Sequence, residues 1–256
     1  MIKVVTLCSG SKGNCTYIEI DNKKIIIDAG KTVKYIRESL EMINISIKDI
    51  DYVFVTHSHK DHVSALKQLL KASNANLCVT RELFGSLNDI DEEGSIMFFE
   101  DDIVLDNVIV KAIKSSHDAV DSRNFVIKCN GKKISLVTDT GYIKQKHFKD
   151  LYNSDLLLIE SNHDIEMLQN GKYPEYLKKR IWSDYGHLSN HQTGFYLTKI
   201  MGDNTKQIVL LHLSHENNSE EKALETVNGF LKEYNIECGN VCCARQDEIS
   251  EVFIID

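Results

Sequence analysis

Proline is nearly missing from this chain: Pro174 is the only one. Gly/Ser-rich linkers and low-complexity tracts are missing too, so nothing in the composition marks a domain boundary. A length of 256 residues is within reach of one α/β core, and a single domain spanning residues 1–256 is expected. No run is long and apolar enough to cross a bilayer, so no membrane partner is expected. The opening MIKVVTLCSG holds only a short apolar run, which reads as a first strand rather than a signal peptide and points to a cytoplasmic location. An excess of positive charge is also lacking. The formal net charge of −8 argues against a protein that coats nucleic acid. It leaves a nucleic-acid enzyme open, because bound cations can dominate the field of a site. Paired cysteine spacing is absent as well. The seven cysteines are odd in number, Cys238, Cys242 and Cys243 come nearest to a cluster, and reduced thiols are expected. Lysine and arginine gather locally in KQKHFK (144–149) and KKR (178–180), each read first as a solvated face.

What is present is an alternation of periods. Apolar, β-branched runs at KVVTL, TYIEI, KKIIIDAG, DYVFVTH, NLCVT, FVIKC, KKISLVTDTG, DLLLIES and QIVLLHLSH read as strands. Helical spacing fits VKYIRESLEM, HVSALKQLLKAS, HQTGFYLTKIMG and SEEKALETVNGFLKEY. The alternation predicts an α/β sandwich. There is also an internal echo: NKKIIIDAG (22–30) matches GKKISLVTDTG (131–141), and each is followed by an Asp-led apolar strand, DYVFVTHSH (51–59) and DLLLIESNHD (155–164). Two similar β-rich halves ending their strands in Asp or His are expected, with chance likeness between apolar strands as the competing reading.

THSHKDH (56–62) places His57, His59, Asp61 and His62 within a few positions directly after an apolar strand. A period of two would point His57 and His59 the same way, and the following turn would bring Asp61 and His62 round to a second position. Imidazole and carboxylate donors without thiolate suit zinc, manganese or iron, and two ions side by side form a hydrolytic clamp.

His57-x-His59-x-Asp61-His62 resembles the signature of the metallo-β-lactamase superfamily, and SSHDA, TDTG, GHLSN and LLHLSHENN follow in that superfamily's order. GSKGN, LVTDTGY, ESNHD and HLSHENN are similar in particular to the YycJ (WalJ) subfamily of bacterial proteins, described as metal-dependent 5′-to-3′ DNA exonucleases. The resemblance covers nearly the whole chain and implies the metallo-β-lactamase fold, an αββα sandwich of two similar β-rich halves. It implies His57, His59 and His117 on one metal, Asp61, His62 and His212 on the other, and Asp139 bridging both. His117, Asp139 and His212 all follow apolar runs that read as strands, which agrees with that assignment.

His187 in GHLSN is similar to the histidine that serves phosphodiesterase members as general acid. The alternative, a helix N-cap region, accounts for Ser189 and Asn190 but not for the histidine. Asp61, Asp139 and His187 are therefore the expected catalytic residues. Asn14, His163, Ser214 and Asn217 are candidate substrate contacts, and His163, at the place in the second half that His59 holds in the first, also reads as a partner of a ligand. SGSKGN (9–14) fits either a phosphate-binding loop or a plain hairpin connection.

The expected activity is phosphodiester hydrolysis by a dinuclear centre, with a metal-bridging hydroxide as nucleophile. Zinc or manganese are the expected ions, iron is possible, and DNA, at duplex 5′ ends, is the implied partner. A small-molecule phosphodiesterase or thioesterase of the same fold is the alternative, and a non-catalytic metal-binding regulator the alternative from another class. A flavin-linked di-iron enzyme would carry Glu in place of His59, a β-lactamase Cys in place of Asp139. After LSHENN the sequence offers one helix and a closing strand rather than the helical substrate domain of glyoxalase II-like thioesterases.

Overall fold

A computed structural model describes residues 1–87, 90 and 95–256. The strands are β1 (Ile2–Cys8), β2 (Cys15–Ile20), β3 (Lys23–Ile27), β4 (Tyr52–Phe54), β5 (Asn76–Val79), β6 (Ile96–Phe98), β7 (Asp102–Leu105), β8 (Val108–Lys114), β9 (Arg123–Cys129), β10 (Lys132–Val137), β11 (Leu156–Glu160), β12 (Gln207–Leu211), β13 (Asn240–Cys243) and β14 (Phe253–Ile255). The α-helices are α1 (Val33–Met42), α2 (Lys60–Val63), α3 (Leu66–Ala72), α4 (Arg81–Phe84), α5 (Phe148–Leu151), α6 (Ile165–Asn170), α7 (Glu175–Trp182), α8 (Asn190–Ile200) and α9 (Glu220–Glu233). None of the described helices is long and apolar enough to cross a membrane.

The strands form two mixed sheets, ordered β14-β1-β2-β3-β4-β5-β6 and β13-β12-β11-β10-β9-β8-β7. The chain divides into two compact units: Met1–Ala112 with Ala119–Arg123 and Arg245–Asp256, and Ile113–Asp118 with Asn124–Ala244. The internal echo is structural. In the first unit β2 and β3 are antiparallel, and β3, β4 and β5 run parallel. In the second, β9 and β10 are antiparallel, and β10, β11 and β12 run parallel. Even the strand starts match: Asp51 accepts from the Lys24 backbone N–H at 2.8 Å, and Asp155 from that of Lys133 at 2.9 Å. Each parallel strand therefore delivers its C-terminal end, with the polar residues that follow, to the same edge of its own sheet.

Each unit covers one sheet face with helices. In the first, Ile36 and Leu40 of α1 and Leu66 and Leu69 of α3 cluster with Val5, Leu7, Ile26, Val53 and Leu77. In the second, Leu197 and Ile200 of α8 and Ala223, Val227 and Leu231 of α9 cluster with Val137, Leu157, Ile159, Ile208 and Leu210. Fully burying one such aliphatic side chain contributes about 1.5–3 kcal/mol, so these clusters hold the strand ends rigidly in place. Gly194 lets α8 and α9 approach: a Cβ there would stand 2.5 Å from a ring carbon of Phe230.

The expected helices over VKYIRESLEM, HQTGFYLTKIMG and SEEKALETVNGFLKEY are α1, α8 and α9. Two expectations need correction. HVSALKQLLKAS is broken into α2 and α3, because Ser64 Oγ donates to the Gly30 carbonyl at 2.8 Å and Ala65 N–H donates to that of Ala29 at 2.8 Å, diverting the chain between them. The strand expected to run through DYVFVTH stops at Phe54. His57 and His59 are thus placed by a loop and a helix start rather than by strand alternation. The seven cysteines are free thiols, as expected. Burial pushes the thiols of Cys8, Cys78 and Cys243 up to about 12, which keeps them protonated and inert.

Candidate metal centre

In the first unit the donors gather after β4. His57 is fully buried and its ring centroid lies 4.7 Å from that of His59 and 4.0 Å from that of His62. His59 is the N-cap residue of α2, which carries Asp61 and His62 in its single turn. The turn is anchored through its backbone: Asn14 N–H donates to the Asp61 carbonyl and Ala29 N–H to that of His62, both at 2.7 Å. Gly30 is the residue that permits this approach, since a Cβ there would stand 1.6 Å from the Asp61 carbonyl oxygen.

Asp28, which follows β3, is a functional residue that sequence reasoning missed. It lies in the left-handed region at φ 64° and is buried. Its carboxylate accepts from Thr56 N–H and Thr56 Oγ1, each at 2.8 Å, and stands 2.7 Å from His62 Nδ1. A carboxylate only accepts, so Nδ1 carries the proton and Nε2 is left as the ring's acceptor. This is the arrangement that orients a metal-binding histidine.

The second unit repeats the device. Asp139 follows β10 at φ 49° and His212 follows β12 at φ 55°. Left-handed backbone at a non-glycine residue costs about 1–3 kcal/mol and persists where the surroundings dictate it. One carboxylate oxygen of Asp139 lies 3.6 Å from His187 Nδ1, 3.6 Å from His212 Nε2 and 3.8 Å from His117 Nε2. Asp139, Glu160, His187 and His212 each offer one donor atom, all within 4.8 Å of one another. His117 Nδ1 faces the Gly186 carbonyl at 3.1 Å, which fixes its tautomer with Nε2 toward Asp139. Burial pushes the His117 pKa down and His187 adds to this, against the pull of Asp139, Glu160 and Asp118, so the ring is held in the neutral form that a metal takes.

Glu160 is the second residue missed from sequence. It ends β11 and is fully buried. His187 Nδ1 stands 2.7 Å from one of its oxygens and His212 Nδ1 3.3 Å from the same atom. Its other oxygen accepts from the backbone N–H groups of Thr140 at 2.9 Å and Leu188 at 3.3 Å. Burial alone would raise its pKa, but the charge of His187 and the hydrogen bonds from both histidines outweigh that and hold the carboxyl below its ordinary value. The signal in the sequence was the echo itself, since Glu160 closes the second of the two Asp-led strands as Thr56 follows the first.

The expected substrate contacts are mostly buried. Asn14 accepts from Gly10 N–H at 2.9 Å, and its amide nitrogen lies 2.9 Å from His62 Nε2 and 3.4 Å from an Asp61 oxygen. SGSKGN is thus at least a closed turn, with Gly13 N–H donating to the Gly10 carbonyl. His163 and Asn217 are each 1% exposed, and His163 Nδ1 and both polar atoms of the Asn217 amide meet no hydrogen-bond partner among the described residues. Burial pushes His163 down to about 4. Ser214 is half-buried, and its hydroxyl accepts from Asn217 N–H at 3.2 Å. Ser189 is the N-cap of α8 in a capping box with Gln192, so the helix start accounts for Ser189 while His187 is held by Glu160.

Strand ends bearing imidazoles, with the Nδ1 of His62, His117 and His212 against a buried carboxylate or carbonyl and their Nε2 beside Asp61 or Asp139, define a metal-dependent hydrolase. The sequence profile of the Metallo-beta-lactamase superfamily matches residues 9–152, and the chain belongs to that superfamily. Among curated proteins it is 32% identical to the exodeoxyribonuclease YycJ of Bacillus anthracis, over 89% of this chain and 88% of that one. It is 33% identical to the exodeoxyribonuclease WalJ of Streptococcus pneumoniae, over 93% and 91%. Among solved structures, the metallo-beta-lactamase fold protein YhfI of Bacillus subtilis superposes with a TM-score of 0.75 at 14% identity, covering 97% of this chain and 98% of that one. Unliganded yeast PDE1 superposes with a TM-score of 0.71 at 13% identity, covering 99% of each. The fold is therefore the metallo-β-lactamase fold, two mixed sheets flanked by helices. That fold implies divalent metal ions, and the donors fit them: nitrogen and carboxylate oxygen only, oriented by carboxylates or carbonyls behind them.

Proposed function

We propose that this chain is a cytoplasmic metal-dependent nuclease, a 5′-to-3′ DNA exonuclease, and that its two units work as one domain on duplex 5′ ends. The observation that carries the reading is the Glu160–His187 pair. His187 is a histidine beyond the expected ligands, yet a fully buried carboxylate holds its Nδ1 at 2.7 Å. The named activity of the YycJ and WalJ relatives supports the choice of DNA.

In this reading His57, His59 and His117 would hold one divalent ion, Asp61, His62 and His212 the other, and Asp139 would serve both, with zinc or manganese as the expected ions and iron as the further candidate. When bound, the ions supply a water acidic enough to attack phosphorus at neutral pH and offset charge on the phosphate oxygens. Asp28 keeps His62 in the tautomer that presents Nε2, and Glu160 at 3.3 Å and the Asn162 amide at 3.1 Å hold the Nδ1 side of the His212 ring. His187 keeps its Nδ1 proton on Glu160 and delivers the Nε2 proton to the departing 3′-oxygen, with the Glu160 charge stabilising the protonated ring. Ser214 is the expected side chain with access to the scissile strand. Asn14, His163 and Asn217 are the further candidate contacts, and all three are buried.

The test is digestion of duplex DNA labelled at one end, with a 5′-phosphate on either strand in turn, in manganese, in zinc and in a chelator. Stepwise loss from the 5′ end in metal alone is expected, and Asp139→Ala should abolish both metal binding and turnover. Protein loaded with two metals that cuts no DNA, or an Asp139→Ala variant with full metal content and rate, would overturn the reading. Hydrolysis of small phosphodiesters in the first case would favour the small-molecule alternative.

A further inference from the structure

The chain has a single tryptophan, and it is exposed. Trp182 is 49% exposed, at the C-terminal end of α7, while Ile181 beside it is turned inward. Tyr176 is 75% and Tyr185 63% exposed, making this one of the few surface stretches with several large aromatic residues uncovered. The residues fall at a spacing of three: Tyr176, Lys179, Trp182, Tyr185. On a helix, positions three apart form a ridge, so Tyr176, Lys179 and Trp182 share one stripe of α7 with the lysine between the rings, and Tyr185 continues it past the helix end. Arg180 is committed to Asp118 at 2.6 Å and Lys178 to Glu175 at 3.2 Å. Lys179, and Lys172 just before the helix, make no ion pair among the described residues, so cations accompany the rings on a chain whose net charge is −8.

This stripe is fastened to the catalytic loop of its own unit. His187 N–H donates to the Ile181 carbonyl at 3.0 Å, which brings the backbone of Trp182 beside that of His187. Gly186, whose carbonyl holds His117 Nδ1, is packed so closely on α7 that a Cβ would stand 2.1 Å from that same Ile181 oxygen. Ser116 Oγ donates to the Asp184 carbonyl at 2.7 Å, and Gly141, two residues after Asp139, leaves room for that carbonyl. The turn between Trp182 and His187 is therefore fixed to the loops bearing His117 and Asp139.

Exposed aromatic faces interleaved with unpaired cations, led directly to a hydrolytic site, have the chemistry of a platform on which unstacked bases lie while lysines follow the phosphates. An isolated patch of this kind on a soluble surface otherwise carries a solubility cost, which a binding role offsets. We propose that Tyr176, Lys179, Trp182 and Tyr185 form a stacking platform for the bases of single-stranded DNA at the mouth of the site. The proposal rests on the nuclease reading and extends it. A frayed or displaced strand, rather than an intact duplex, is then what the second unit holds against His187.

Trp182 is its own probe, because a stacked base quenches indole fluorescence. Protein in a chelator is titrated with an oligothymidylate of about a dozen nucleotides, and in parallel with an abasic oligomer of the same phosphate count. Saturable loss of emission with the base-bearing strand and little with the abasic strand is the expected result. Tyr185→Ala should weaken the oligothymidylate about tenfold, within the range for one stacked base. Absence of quenching by oligothymidylate, or equal quenching by the abasic strand, overturns the platform. Cleavage of the same oligonucleotide after adding manganese reports on the nuclease reading separately. Cutting without quenching sinks the platform alone, and quenching without cutting sinks the nuclease reading alone.

Discussion

Replacing Glu160 by glutamine keeps the side chain's volume and removes its charge at the point where two histidines and two backbone amides converge. The carboxylate faces His187 Nδ1 at 2.7 Å and His212 Nδ1 at 3.3 Å through one oxygen, and Thr140 N–H at 2.9 Å and Leu188 N–H at 3.3 Å through the other. Glutamine offers one acceptor and one donor, so whichever way its amide turns, two of these N–H groups face an NH2 group instead of an oxygen. Each donor left without an acceptor in a fully buried site costs about 1–3 kcal/mol, giving a loss of roughly 2–6 kcal/mol in folding stability for Glu160→Gln. The partners behind metal-binding histidines typically carry a factor of about 10–100 in affinity or rate. Calorimetry of the metal-free protein reads the first effect. Competition with a chromophoric chelator, and turnover at saturating metal, read the second. A further fall in rate that excess metal does not restore is expected from His187, which Glu160 also holds. A Glu160→Gln variant with wild-type melting temperature, metal affinity and rate, each within twofold or a degree or two, would refute the account of Glu160 as the residue that orients both rings.

Gly30→Ala should cost at least about 1–3 kcal/mol, because its Cβ would meet backbone, the Asp61 carbonyl at 1.6 Å and Asn14 N at 2.5 Å, rather than a side chain able to move. Metal affinity should fall with it as the α2 turn is displaced, and unchanged denaturant midpoint and metal content would contradict this. His163 makes a pH prediction for the metal-free protein. Its folded pKa is lowered to about 4 from an ordinary 6.5, so as the pH falls below about 6.5 the unfolded chain takes up the proton first and stability is lost down to about pH 4, by roughly 3 kcal/mol in all. Above pH 6.5 this group makes no slope. In His163→Gln the difference in unfolding free energy between pH 7 and pH 4 should shrink by about that amount, and an unchanged difference would count against a buried neutral imidazole.

Much of the fold was legible because it depends on local periodicity. α1, α8 and α9 repeat their apolar residues at helical spacing, and β3, β11 and β12 are nearly continuous aliphatic runs. β6 and β14 are three-residue strands at sheet edges, and α6 and α7 are short helices, so little periodic pattern accumulates in any of them. The break between α2 and α3 was invisible because its cause, the backbone of Ala29 and Gly30, lies more than 30 residues away in sequence.

The candidate site divides along the same line. The sequence by itself determined which donors are available and in what order, because metal ligation demands imidazole and carboxylate and the motif from His57 to His62 concentrates them. It also carried the twofold echo, since Asp51 and Asp155 open equivalent strands. Only the tertiary structure brought Asp28 to His62 Nδ1 and Glu160 to the Nδ1 atoms of His187 and His212, because a buried carboxylate selects its histidine by proximity across folded strands and leaves no spacing to read. Only the fold, likewise, tied the end of α7 to the His187 loop, through a hydrogen bond from His187 N–H to the Ile181 carbonyl.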